Sequence, residues 1–178
     1  MHRIILASVI LLSACGGGAG THAQPDVQTV RVVGPGGGTL RVRPDGGTTT
    51  AIVGLPLEQV WRMLPAVFDS LDVPVTRVDE AARLYGNDGF RLRRRLGGVL
   101  LSRYFDCGET QIGPNADSYD VFLLLLTRLR PAPGNMTTVD VTVEARARPV
   151  AFRQNYAGCT TRGRLEPLIL ELLTRVSP

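Results

Sequence analysis

An α+β fold is predicted by three features of this sequence. Two helical apolar stripes lie near its two ends, β-rich segments punctuated by Gly and Pro fill the space between them, and its charge content is low. The first stripe is Leu57, Val60, Trp61, Leu64, Val67, Phe68 and Leu71; the second is Leu165, Leu168, Ile169, Leu172, Leu173 and Val176. Both recur at three- and four-residue spacing, the period of a helix with one dry side. Such stripes must bury against something, and the strands between them supply one sheet face. The expectation is a two-layer domain, an antiparallel sheet packed by two amphipathic helices. With 178 residues, 44% hydrophobic and 20% charged, the chain is long and apolar enough for one core.

The chain opens with a short basic start, Met1-His2-Arg3, and a nearly continuous apolar run over residues 4–12. That run is roughly half the ~20 residues that cross a bilayer as a helix, so it reads as the core of a signal peptide. It ends in Leu12-Ser13-Ala14-Cys15, which resembles the bacterial lipobox. The resemblance implies a precursor cut after residue 14, diacylglycerol on the Cys15 sulfur and a further acyl chain on its amino group. Two or more chains anchor a protein stably where one does not. Gly16, in place of Asp, implies the outer membrane facing the periplasm. The predicted organisation is a signal peptide over 1–14, Cys15 and a flexible tether over 15–26, a Gly/Pro-punctuated β arm over 27–47, and the α+β domain over 48–178.

Within the arm, residues 27–33 and 40–43 are β-rich and separated by Pro-Gly turns. Residues 48–53 form a β-branched strand leading into the first helix, 56–71. Pro56 suits its first turn, where a missing N–H costs nothing, and Pro65 removes one internal bond. Trp61 reads as a core anchor. Strands over 73–79 and 83–87 flank an Asp79-Glu80-Ala81-Ala82 turn, and Asn87-Asp88-Gly89 signals another turn. Residues 90–96 alternate, with Arg91, Arg93 and Arg95 on one face and Phe90 and Leu92 on the other. Arg94 falls in the inward phase, so it belongs at a sheet edge or beside a carboxylate. Residues 99–105 read as a short helix or turn. Residues 118–130 and 136–148 form the strongest strands, joined by a hairpin loop over 131–135. The second alternates Val139, Val141, Val143, Ala145 and Ala147 with polar residues, giving one wet face. The first runs apolar through 122–126, which predicts a strand covered on both faces, either central in the sheet or lying against the tether arm. The terminal helix is expected over 161–176.

This order resembles helix-grip domains, in which a curved antiparallel sheet wraps a C-terminal helix. Together with the lipobox it is similar to the lipoprotein C subunit of the outer-membrane β-barrel assembly machine. The resemblance implies a non-catalytic interaction or envelope-assembly accessory module.

The residue inventory narrows the chemistry. Both histidines, His2 and His22, fall in the leader and tether. The rest of the chain therefore lacks the imidazole of Ser-His-Asp and Cys-His catalysis and of His-ligated metals. No cofactor or metal is expected. Cys107 and Cys159, an even pair in an oxidising compartment, are expected to form a disulfide worth roughly 4 kcal/mol in the chain-entropy picture. The competing reading, a reactive thiol, lacks an activating group. Asp106 with Glu109, and Asp117 with Asp120, have the look of carboxylate pairs but read as solvated loop acids.

The net charge of +4 comes from 20 Arg, with no Lys, against 16 acids. Arg91, Arg93 and Arg95 are the candidate docking surface, for an envelope protein partner or anionic lipid headgroups. Replacing them is expected to cost little stability. The signal peptide denies the chain a nucleic-acid compartment. The alternative function is carriage of a lipid or other hydrophobic ligand in a cavity between the sheet and the C-terminal helix.

Overall fold

The computed structural model describes residues 28–32, 38–42, 47–151 and 155–175, the first two stretches as backbone alone. The expected leader, Cys15 and the expected tether lie outside the described residues. In chain order the elements are β1 (Gln28–Val32), β2 (Gly38–Val42), β3 (Gly47–Val53) and α1 (Leu57–Ser70), followed by β4 (Arg77–Asp79) and β5 (Leu84–Arg93). Short pieces come next: β6 (Arg95–Leu96), β7 (Val99–Leu100), a 3-10 turn (Leu101–Arg103), β8 (Phe105–Asp106), β9 (Glu109–Thr110), β10 (Gly113–Pro114) and α2 (Asn115–Ser118). The chain closes with β11 (Asp120–Ala132), β12 (Met136–Arg148), β13 (Ala157–Thr161) and α3 (Leu165–Arg175).

The fold is α+β. An open antiparallel sheet runs in the order β1-β2-β3-β12-β11-β5-β4, and β13 pairs with one end of β12 and with β8. The long hairpin of β11 and β12 is its centre, in register from Asp120 opposite Arg148 to Ala132 opposite Met136. Side chains alternate along a strand, so each strand gives one row to each face. Val121, Leu123, Leu125 and Leu129 from β11 and Val139, Val141 and Val143 from β12 point into the core. The helices lie side by side over that face. From α1 come Val60, Leu64, Val67 and Phe68, and from α3 come Leu165, Ile169 and Leu173, all at 0% exposure. A void wide enough for water would leave such side chains accessible, so this interface is filled by aliphatic packing.

Several local expectations are corrected. Trp61 is half-buried at the margin of the core; its ring meets Tyr85 edge-on at 5.8 Å and the Arg83 guanidinium at 5.4 Å. The terminal helix begins at Leu165, because residues up to Thr161 pair as β13 with β12 and β8. Residues 99–105 do hold the expected short helical turn, a 3-10 turn over Leu101–Arg103, set between the return strand of a small hairpin and the start of β8. The strand over 122–126 is central, but its outer row, Phe122, Leu124 and Leu126, is half-buried and not fully covered.

The most consequential correction concerns the Asn87-Asp88-Gly89 turn, which is a β-bulge inside one strand. Phe90 opposes Leu123 and Asn87 opposes Leu125, so Asp88 and Gly89 together face the single residue Leu124. Asn87 Oδ1 accepts the Gly89 N–H at 2.7 Å, a turn-like bond made within the strand. Gly89 has φ +154°, and a Cβ there would lie 2.2 Å from the Phe122 ring. Only glycine fits.

One buried carboxyl stands out. Glu166, in the first turn of α3, is 1% exposed; Thr161 Oγ1 donates to its Oε1 at 3.1 Å, and its Oε2 has no partner among the described residues. Burial pushes its pKa above the usual carboxylate value, and the Thr161 and backbone hydrogen bonds pull less strongly the other way. The folded state therefore holds this proton more tightly than the unfolded chain. That contribution to stability is full below the ordinary carboxylate pKa and is lost as pH rises through the raised one. Glu166→Gln should melt higher than the parent at neutral pH, and the gain should shrink in acid. The yardstick for thermal scans across pH is about 2–4 °C per kcal/mol for a chain of this size.

Candidate docking surface

The outer face of the sheet carries the charge. Because the bulge resets the phase of β5, Phe90 and Leu92 share the core side with Leu123 and Val121, and Arg91 and Arg93 fall opposite Phe122 and Asp120 on the outer side. The β11–β12 register places Arg146 opposite Phe122 and Arg148 opposite Asp120 on that same side. Four guanidinium groups from two strands thus flank one row of β11.

Asp120 is the anion that Arg91 and Arg93 share. Its residue is only 6% exposed, and its Oδ1 accepts from Arg93 Nε at 3.2 Å and Nη2 at 3.0 Å. Arg91 Nη1 stands 3.8 Å from Oδ2. The arginines themselves remain open, with 64% and 61% of the Arg91 and Arg93 side chains exposed. Arg146 stacks over Phe122 at 5.4 Å and Arg148 over Tyr156 at 4.6 Å, and the two rings are 6.0 Å apart. At exposed sites each such stack is worth about 0.5–1 kcal/mol, enough to orient a guanidinium without cancelling its charge. The face offers fixed, solvent-facing cations, with Glu144 the nearby acid on the outer row of β12.

Arg95 is not part of this group. Arg94, at φ +70°, ends β5 and so escapes the inward position that its place in the alternation implied. Arg95 starts the β6–β7 hairpin and donates to the Gly98 carbonyl. The expectation that the arginines can be replaced at little cost also changes. Removing Arg91 and Arg93 leaves Asp120 buried without its cations, whereas Arg146 and Arg148 make no ion pair that Asp120 depends on.

Beside this face, at the end of the sheet where Asp120 opposes Arg148, the chain forms a stiff knuckle. The Cys107–Cys159 disulfide joins the strand β13 to the approach of the β9–β10 hairpin, with Cα atoms 4.3 Å apart. Asn115 holds the hairpin base: its backbone N–H donates to Gly108 O at 2.9 Å and its Nδ2 to Cys107 O at 3.1 Å. At the tip Ile112 is 87% exposed, and Val150, across a cleft of about 670 Å³ lined also by Tyr119, Pro149 and Ala151, is 50% exposed. A smaller hollow of about 330 Å³ lies on the outer face between Leu84, Leu126, Arg128 and Asp140.

Of the four acids, Asp106 and Glu109 are exposed as expected, whereas Asp117 is half-buried and Asp120 buried. Asp117 accepts from the Ser102 N–H at 2.8 Å and Oγ at 2.6 Å, and Asp106 from Gly108 N and Arg162 Nη2. Among the described residues there is no His/Cys/Asp/Glu group that could hold a metal, and no helix long and apolar enough to cross a membrane. The sequence reading missed Arg146, Arg148, Phe122, Tyr156 and Ile112 as members of one surface. The alternation of β12 put Arg146 and Arg148 on a wet face, but only the strand register joins them to Arg91. The chain matches no protein-family model and no curated protein.

Two measurements follow. Cys107→Ser/Cys159→Ser should lose about 4 kcal/mol in urea denaturation, with the 109–114 hairpin becoming the first site of protease cleavage. Arg91→Gln/Arg93→Gln should cost about 1–3 kcal/mol by orphaning the Asp120 carboxylate, while Arg146→Gln/Arg148→Gln, which deletes two ring stacks and leaves Asp120 its cations, should cost no more than about 1–2 kcal/mol.

Proposed function

We propose that this chain is a non-catalytic lipoprotein, anchored through Cys15 in the outer membrane and facing the periplasm, that serves as an interaction or envelope-assembly accessory module. The observation that carries the docking role is the outer sheet face, where Arg91, Arg93 and Arg146 are exposed and Arg148 half-buried, on strands flanking Asp120, the carboxylate that Arg91 and Arg93 share. Fixed cations with little neighbouring countercharge favour an anionic partner and steer its approach. The lipobox supports the anchor, and the absence of His from residues 27–178 supports a role without imidazole chemistry.

The alternative, a carrier with a cavity between sheet and C-terminal helix, has less support. The side chains that meet there, among them Leu64, Leu125, Ile169 and Leu173, are wholly inaccessible, as in an ordinary packed core.

Mass spectrometry of the membrane-extracted protein should find a mature start at Cys15 carrying acyl mass; an unmodified, soluble form would end the anchor reading. In cells, Arg146→Gln/Arg148→Gln should weaken cross-linking of the domain to envelope components, with folding intact. Cross-linking equal to the parent's would reduce the arginines to a solvated face.

A further inference from the structure

The arginine face and the Ile112 knuckle adjoin. Arg148 runs directly into Pro149, Val150 and Ala151, and Tyr119, which lines the cleft, directly precedes Asp120. One end of the domain therefore combines a protruding aliphatic tip, a second exposed aliphatic residue and a group of arginines, of which Arg91, Arg93 and Arg146 are exposed and Arg148 half-buried.

The tip is unusual. Ile112 sits on a two-residue turn, 87% exposed, on a hairpin braced by a disulfide and by both Asn115 bonds. Bracing a convex aliphatic point has no use in core packing. A protein partner would need a matching pocket for it, whereas a bilayer accepts any convex apolar tip without complementary shape. The neighbouring cations fit the phosphates of the same surface, since a guanidinium binds phosphate through a planar fork.

We propose that this end of the domain is a membrane-contact surface for anionic phospholipid. Ile112 and Val150 enter the headgroup–acyl boundary while Arg91, Arg93, Arg146 and Arg148 meet lipid phosphates. The inference deepens the docking reading of the same arginines and rests on it; it does not rest on the Cys15 anchor. It implies a fixed orientation, with this end of the sheet against the membrane and α1 and α3 turned aside.

The test uses the full chain carrying Ile112→Trp, reconstituted in vesicles of phosphatidylcholine with or without phosphatidylglycerol. Far-UV circular dichroism and a non-reducing gel confirm the fold and the disulfide. In phosphatidylglycerol vesicles the new tryptophan should emit at shorter wavelength and be quenched by brominated acyl chains. Trp61, alone in the parent, supplies the background. High salt, or Arg146→Gln/Arg148→Gln, should remove the shift, because the charge contribution is screened or deleted. A tip that stays unshifted and unquenched in anionic vesicles overturns the proposal, as does equal quenching in neutral ones. If the tip is silent and the arginine substitutions still weaken cross-linking to an envelope protein, the partner is that protein and the docking reading survives alone. If neither responds, both fall.

Discussion

A single extra residue in β5 governs both faces of this sheet. Strand side chains have a period of two, so shifting the phase by one residue exchanges core and solvent along the whole segment. Tyr85 and Asn87 face the core before the bulge, and Phe90 and Leu92 face it after, which an unbroken alternation cannot achieve. Asp88 and Gly89 absorb the difference. Only glycine fits beside the Phe122 ring at that backbone geometry. The same device that keeps Phe90 and Leu92 against the core puts Arg91 and Arg93 beside Phe122 and Asp120 on the other face.

The two faces are consequently unlike. One is closed by α1 and α3 with aliphatic side chains at or near zero exposure. The other has a half-buried apolar row on β11 and arginines on both neighbouring strands. Beyond Gly86, β5 has no strand partner on its outer edge among the described residues, since β4 pairs only with Leu84–Gly86. A bulge and projecting charges on such an edge discourage sheet-to-sheet association, so Arg91 and Arg93 also guard the edge. The disulfide imposes a second, local constraint: it ties the Asn115-held hairpin to β13, and so fixes the knuckle relative to β12.

Much of this was legible in the residues. The helical stripes named Val60, Leu64, Val67, Phe68, Leu165, Ile169 and Leu173, and the alternation of 136–148 sorted Val139 and Val141 from their polar neighbours. The even cysteine pair foretold its bond. What escaped was long-range register. Asn87-Asp88-Gly89 has the same composition whether it reverses the chain or bulges it, and the choice is made by β11, more than thirty residues later. Arg146 and Arg148 join Arg91 and Arg93 only through that strand. Arg94, expected at a sheet edge or beside a carboxylate within one strand over 90–96, instead breaks that strand at a left-handed φ of +70°. Ile112 carried no periodic signal, because a hairpin of two-residue strands is too short to have one.

Arginine-selective dicarbonyl labelling, read residue by residue by mass spectrometry, addresses the docking face most directly. The protein in isolated native membranes, where the proposed Cys15 anchor would hold it, would be compared with the same protein extracted in neutral detergent. The account predicts that Arg91, Arg93, Arg146 and Arg148 are protected in the membrane-borne state and released on extraction, while the exposed Arg62 and Arg77 label equally in both. Uniform labelling of all six in the two states would contradict it.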